Sequence, residues 1–425
     1  MMASDPNRIF VSEMRSLEEW DAVSQIWDDL VHKSPDASVF NSFSFLRCFY
    51  NKFLNLRSCN LAILMLKDES GNPIGAAPMI RLKKQIAGLP VNVISLMYKR
   101  VITDRTQFLV PDRSEEQLRA IFQYLQKDTK NWDVLELQEQ VIDSGYESIV
   151  RSIFKDTGSY HLEIINPAID PFLKMEFGLN GWKKYLLTRS KKHRKKWRYL
   201  QNRLLREGTV SVVRHAEGED LFPIVAKYQE LEQKSHKFGT PSAVSSQIRE
   251  FYIELATALR PKGSMHFVFL LLDDTPIAGL IGMSFENRYA ALTTVFDEKF
   301  SKFSPGFLVG GYDIKWAMEK GFSEYDFMSG FLTDKLLWTD SFRVLCSLRI
   351  IRKSAWGGLF YLTKFRMIPV LRKILCKIGL DDKVEKLLGN QKWVLDKSKF
   401  EKHNIQLHSR NESSNFTYHS SNISE

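Results

Sequence analysis

Cysteine is scarce in this chain of 425 residues, and the four present (Cys48, Cys59, Cys346, Cys376) are scattered, with no CxxC pair and no histidine cluster at ligand spacing. That excludes a disulfide framework and a structural metal site, and it fits a reducing compartment. Long apolar runs are also missing. No stretch reaches the ~18 uncharged apolar residues of a membrane-spanning helix. The first ten residues carry Asp5, Pro6 and Asn7 where a signal peptide needs its apolar core, so the expected location is cytoplasmic. Without secretion, the sequons at Asn411, Asn415 and Asn422 carry no meaning. What remains is ordinary globular composition, 44% hydrophobic and 26% charged, in a chain long enough for two domains.

The net charge of +10 is localised. Between Leu179 and Glu207 stand eleven Lys or Arg against the single acid Glu207, so the remainder is neutral on balance. The pattern is a basic arm rather than a basic protein. Trp182, Tyr185, Trp197 and Tyr199 interleave with its cations, which suits phosphate contacts with occasional stacking along residues 180–207 and admits an RNA partner. The competing reading is a solvated helical face with its aromatics packed inward. Residues 359–378 alternate Leu359, Phe360, Leu362, Phe365 and Ile368 with Lys364, Arg366, Arg372 and Lys373, the pattern of a basic amphipathic helix. Such a helix lies either on the inner face of a membrane or on its parent domain. From His403 onward Ser and Asn dominate, and disorder is expected.

A strand-turn-strand signature occurs twice. Leu61-Ala-Ile-Leu-Met-Leu66 meets a polar turn and leaves through Pro73-Ile-Gly-Ala-Ala77; Phe267-Val-Phe-Leu-Leu-Leu272 does the same and leaves through Pro276-Ile-Ala-Gly279. Two hairpins of this form indicate an internal repeat. Around the first, helices are expected at 17–33, 44–53 and 114–127, with strands at 9–11 and 134–137. Around the second, the basic stretch 180–207 precedes a strand at 209–214, helices at 220–234 and 245–259, a strand at 289–296, a turn at 301–306, a helix at 308–320 and a strand at 325–328. A strand, a glycine-bearing turn and a helix in that order present backbone N–H groups to an anion.

Set in order, Gly71-Asn-Pro-Ile-Gly-Ala-Ala-Pro78, Trp182-x-x-Tyr185 with the basic run 190–198, Thr275-Pro-Ile-Ala-Gly279, Phe303-Ser-Pro-Gly-Phe307, and Gly321-x-x-x-Tyr325-Asp-Phe327-x-x-Gly330 with Asp334-Lys335-x-x-Trp338 resemble a known group. It is the CelD-like branch of the GNAT acyltransferase superfamily, related to the Fem-type (FemABX) aminoacyltransferases, and the resemblance covers roughly residues 10–350. It implies an α/β (α+β) fold of tandem GNAT-like domains: residues 1–165, then 166–356 including the basic arm, then 357–425 as amphipathic helix and flexible tail. It also implies an acyl-CoA donor, acetyl-CoA among them, with its pyrophosphate at Phe303, Ser304, Pro305, Gly306, Phe307 and Leu308. Here the chain departs from the superfamily pattern Gln/Arg-x-x-Gly-x-Gly/Ala. Its first position lacks a polar side chain, and the bulk of Leu308 is expected to crowd the phosphate.

Acyl transfer to an amine needs a neutral nucleophile, a donor to the developing oxyanion and a proton for the leaving thiolate. Deprotonating a lysine-like amine of pKa about 10.4 at pH 7 costs roughly 4–5 kcal/mol; an amine near 8 costs about 1–1.5. Asp326, at the end of the Tyr-Asp-Phe strand, is a candidate base. Lys335, on the following loop, is a candidate for holding a phosphate or carboxylate. Glu232 and His236 stand at i and i+4 and are expected on one side of a cleft. Asp104 and Trp338 are candidates for touching the acceptor. The expected function is N-acyl transfer, plausibly to an amino sugar, small or lipid-linked, used for surface polysaccharide; that substrate comes from the resemblance alone. The alternatives are a tRNA-dependent aminoacyltransferase and a non-catalytic binding protein on the same fold.

Overall fold

The structure, a computed structural model, describes residues 8–370 except 36, 56–58, 87–88, 100–101, 112–113, 129–130, 142–145, 156–157, 176–177, 179, 217–219, 238–243, 261, 330–333 and 369, together with 405–409 and 416–420. The first module runs β1 (Phe10–Met14), α1 (Leu17–Asp21), α2 (Ser24–Lys33), α3 (Phe43–Phe49), β2 (Cys59–Leu61), β3 (Ile63–Lys67), β4 (Pro73–Ala77), β5 (Met79–Ile86), β6 (Leu89–Leu96), α4 (Glu115–Lys127), β7 (Val134–Val141) and α5 (Tyr146–Val150). The long strand β8 (Tyr160–Lys174) leads to the arm helices α6 (Gly181–Thr188) and α7 (Lys191–Leu205). The second module continues with β9 (Val210–His215), α8 (Leu221–Glu232), α9 (Ser246–Ala258), β10 (Gly263–Leu272), β11 (Thr275–Phe285), β12 (Arg288–Phe296), α10 (Pro305–Glu319), β13 (Glu324–Asp326), β14 (Phe342–Arg352) and α11 (Ala355–Tyr361).

Both repeated hairpins form. Leu64 pairs with Ala77 in the first and Leu270 with Ala278 in the second, and each ladder slips register beside its proline, between Leu66 and Lys67 and between Leu270 and Leu271. The slip absorbs the missing proline N–H. The helix expected over 17–33 is two helices. Ser16 opens the first with a capping box, its Oγ accepting from the Glu19 N–H (3.2 Å) while Glu19 accepts from the Ser16 N–H (3.1 Å). The second turns Trp27, Leu30 and Val31 inward.

Two strands that the sequence reading did not anticipate join the modules. The main sheet runs β2-β5-β6-β7-β14-β8-β13-β12-β11-β10-β9. β8 pairs with β14 along 160–171 and with β13 along 172–174, so the boundary expected at 165/166 falls inside one continuous strand. β14, though it comes late in the second module's sequence, lies between β7 and β8 and completes the sheet of the first. Pro167 sits where the β8 register shifts, between the pairs Leu345–Ala168 and Ser347–Ile165. A proline in a strand pattern argues against a strand unless a bulge receives it, which is how this one escapes notice.

A shared core then fixes the two modules together. α3 and the helical turn after it (Tyr50–Leu54) pack on α9, Phe45 and Phe53 meeting Phe251 with ring centroids 5.6 and 5.2 Å apart. The basic arm is likewise docked. Tyr185, Trp197, Leu200 and Leu204 are buried against α10, Trp182 is half-buried, and only Tyr199 of the four arm aromatics is exposed, at 59%. The inward-packed reading of those aromatics is the one the structure bears out. Within the tail expected to be disordered, 405–409 and 416–420 pair as an antiparallel hairpin.

Candidate active site

Where the modules meet, both supply charged groups to one buried cluster. Arg105 comes from the loop after β6, Glu139 from β7, Asp170 from β8, Glu324 and Asp326 from β13, and Arg343 from β14. Arg105 pairs with Asp170 (Nε to Oδ2, 3.0 Å) and with Asp326, while Arg343 reaches Asp170 at 3.2 Å and both oxygens of Glu324 at 2.7 Å. Asp104, beside Arg105, accepts from the Ser329 N–H at 2.6 Å, so the first module is tied directly to the loop after β13. Burial, reinforced by neighbouring Glu139, holds the Asp104 carboxyl well above the usual carboxylate range. Asp170 is raised too, mainly by burial and against the pull of Arg105.

The backbone here is held in unusual conformations. Among the described residues, eight that are not glycine have positive φ, and three of them, Arg105 (43°), Glu139 (51°) and Met328 (66°), belong to this cluster. Two more lie nearby in the second module: Glu286 (50°) among the lining of a cavity and Ser304 (50°) at the turn that opens α10. Such strain persists where surrounding structure enforces it, commonly at functional sites. The cavity, about 270 Å³, opens against Arg105, Glu324 and Asp326 and is walled by residues 31–35 and 37–40 of the first module and by Met283, Phe285 and Arg288 of the second.

Beside the cluster the sheet parts. β12 and β13 are parallel only from Arg288–Glu324 to Ala290–Asp326; β13 then ends while β12 continues to Phe296. Two lysines stand at this opening. Lys335 Nζ donates to the carbonyls of Met328 (3.0 Å) and Ser329 (3.2 Å), and burial lowers its pKa against the pull of Asp104, Asp170 and Asp326. Lys237 Nζ donates to Thr293 Oγ1 at 3.1 Å, and burial together with the nearby Lys335 charge lowers it to about 8. Lys237 was missed in the sequence because a lysine just past a helix end reads as surface. Its environment comes from β12 and from Lys335, both distant in sequence.

At the far end of β12 lies the turn expected to hold a pyrophosphate. Ser304, in the left-handed region, opens α10, with Pro305 at the first helical position. The N–H groups of Phe307 and Leu308 both donate to the Ser304 carbonyl (3.0 and 3.2 Å), so Gly306 carries the N–H left for a ligand. Three cations crowd the turn. Lys196 lies 4.5 Å above the Phe307 ring, and Lys302 and Arg203 lie 4.7 and 5.2 Å from the Phe303 ring. Leu308 does not crowd it as expected, because its side chain is wholly buried in the core beneath the helix. Phe303 is likewise core, and Phe307 stacks on Trp338 with centroids 4.5 Å apart.

The remaining candidates divide. Asp326, Asp104 and Lys335 come together at the junction. Asp326 is already engaged by Arg105, and its Oδ1 accepts from the Met328 N–H at 2.7 Å, an arrangement that suits positioning better than proton abstraction. Glu232 and His236 do not face one cleft: Glu232 is buried and accepts from the Val244 N–H at 2.7 Å, whereas His236 is exposed against Glu298 at 3.1 Å. The helix ends at Glu232, so the i, i+4 geometry assumed for the pair is absent. Trp338 is 5% exposed in a box with Trp182, His193, Trp197 and Phe307, where it packs beneath the turn that opens α10 rather than facing the cavity.

Comparison with known proteins agrees with this geometry. Residues 191–335 match the family model of an acetyltransferase (GNAT) domain. None of the curated proteins matches the chain. Among solved structures it is similar to FemX (12% identity, 83% of this chain and 99% of that one, TM-score 0.53). It is also similar to a conserved protein of unknown function from Bacteroides thetaiotaomicron (10%, 81% and 100%, TM-score 0.49) and to a tandem GNAT protein from the clavulanic acid biosynthesis pathway (11%, 82% and 99%, TM-score 0.44). The strands that part and the turn that opens α10 both lie within the segment matched by the GNAT domain. The match to the GNAT domain spans about a third of the chain, and the likeness to FemX, at 12% identity, is one of fold.

Proposed function

We propose that this protein transfers an acyl group, acetyl or longer, from coenzyme A to the amine of a sugar, either free or lipid-linked. The observation that carries the reading is the opening between β12 and β13, with the α10 turn at one end and the junction cluster with its 270 Å³ cavity at the other. The pyrophosphate is received by the Gly306 N–H and the surrounding cations, and the thioester lies in the opening. The acceptor enters from the cavity, so that its amine meets the carbonyl carbon beside the two lysines. The amine nitrogen forms the new C–N bond, the C–S bond breaks, and the thiolate leaves with a proton from solvent or from the lysine pair. Lys237, near 8, accepts the proton shed by the attacking nitrogen, and the Lys335 ammonium faces the developing oxyanion.

Calorimetry with acetyl-CoA and longer acyl-CoAs tests the donor half. Gly306→Val, whose added Cβ meets Phe296 at 3.3 Å and Thr294 at 3.9 Å, should abolish binding, with circular dichroism checking that the fold is kept. Lys335→Met should keep donor binding and lose transfer to a panel of amino sugars. A folded wild-type protein that binds no acyl-CoA would overturn the reading. A tRNA-dependent aminoacyltransferase is favoured by one specific feature, the exposed cations Lys191, Lys192, Lys195 and Arg198 around the exposed ring of Tyr199. Salt-sensitive tRNA retention on filters, lost when those lysines are neutralised, would select it.

A further inference from the structure

The basic arm is not the only concentration of positive charge. From Ser341 to Leu380 the sequence holds nine Lys or Arg and no acid at all. Of the acids on neighbouring strands, Glu136 is engaged by Arg349 and Lys84 and Asp133 by Arg352, while Glu163 of β8 stands opposite Arg349. Lys353 and Arg366 are exposed, and among the described residues neither forms an ion pair.

Between these two cations the chain shows an apolar face on each side. α11 and the wider helical turns after it (Leu362–Met367) bury Gly357 and Phe360 against β6 and β14, and Tyr361 stacks on His161 at 3.8 Å. The opposite stripe, Trp356, Leu359, Leu362, Met367 and Val370, is between 43% and 62% exposed. Five of the fourteen exposed large hydrophobics of the described chain fall in these fifteen residues. A surface helix normally keeps its outer face polar, so a helix apolar on both sides is one that something covers.

We propose that this outward face of residues 355–370 docks on an anionic lipid surface, the apolar stripe entering the headgroup boundary and Lys353 and Arg366 meeting lipid phosphates. The match is one of charge as well as polarity: a stripe bearing only cations at its edges, with an indole at one end, complements a negative apolar boundary. The sequence beyond Val370 keeps the pattern, with Arg372, Lys373 and Lys377 among Leu371, Ile374 and Leu375; that segment lies outside the described residues. β14 carries Arg343 of the junction cluster near one end and Arg352 at the other, roughly 30 Å apart at strand rise. The docked helix therefore lies at the opposite end of β14 from the junction cluster.

The test is flotation of the full chain with vesicles of phosphatidylglycerol mixed with phosphatidylcholine, and with phosphatidylcholine alone. Wild type should float with the anionic vesicles and do so less at high salt. Leu359→Glu combined with Leu362→Glu should lower the bound-to-free ratio by more than about tenfold, with acyl-CoA binding unchanged, because two leucines no longer enter the apolar boundary. Lys353→Glu with Arg366→Glu should weaken binding to the anionic vesicles and leave any binding to phosphatidylcholine alone. Wild type remaining unbound, or the leucine variant floating like wild type, overturns the proposal. So does concentration-dependent dimerisation abolished by the leucine variant without flotation, which assigns the stripe to a second copy of the chain. The result is independent of acyl transfer.

Discussion

Arg105 is the residue on which the module junction turns. It is 4% exposed and faces Asp170 and Asp326, both buried, so its guanidinium offsets two carboxylates that would otherwise lie in a low-dielectric interior. Arg105→Met should therefore cost about 3–5 kcal/mol, far more than an exposed ion pair contributes, because it leaves buried charges unpaired. Urea unfolding at neutral pH checks this, and a loss below roughly 1 kcal/mol would mean that Arg343, 3.2 Å from Asp170, is partner enough for the buried pair. At this scale the sequence was partly legible. Asp104, Asp326 and Lys335 stand out by their loops and motif, and they do converge. Their partners Arg105, Asp170, Glu139 and Lys237 do not stand out, since each acquires its role from a residue far away in the chain.

Among the elements, the arm shows how a charge run can mislead. Eleven cations suggested a free basic surface, yet α7 is docked on α10 along its length, with Trp197 set against Gly311, where an added Cβ would collide with both Trp197 and Trp338. His193, on the first turn of α7, lies inside that contact, 6% exposed, with neither ring nitrogen hydrogen-bonded. Burial, with help from Arg189 and Lys196, lowers its pKa to about 4 from 6.5. A histidine depressed in the folded state contributes stability that is fully present above its unfolded pKa and lost as pH falls through the folded value. Docking of the arm should thus weaken between pH 6.5 and 4, by at most about 3 kcal/mol. His193→Phe should remove this acid sensitivity. Urea midpoints followed by tryptophan fluorescence across that window read it out, and equal acid losses in both proteins would refute it.

For the molecule as a whole, the decisive feature is that β14 returns to the first module while β8 serves both. A fragment of residues 1–165 lacks the strand that sits between β7 and β8, and it leaves β8 cut in the middle. It should show no cooperative unfolding by circular dichroism alone and should gain it on co-expression with residues 166–425. The intact chain should unfold in one transition, because the core beneath α3 and α9 belongs to both modules. Two separable transitions would contradict this.

The sequence by itself determined the local elements: the twin Pro-Ile hairpins, the helix starts at Ser16, Ser114 and Ser245, and the strand-turn-helix around Gly306, each set by turn residues, caps and apolar periodicity within a few positions. Only the tertiary structure decided what β8 and β14 pair with, that the arm is docked, and which lysine lies beside the open sheet. Those outcomes depend on burial and on charges brought together across some two hundred residues. Desolvation and ion pairing act between neighbours in space, and neither leaves a local pattern in the chain.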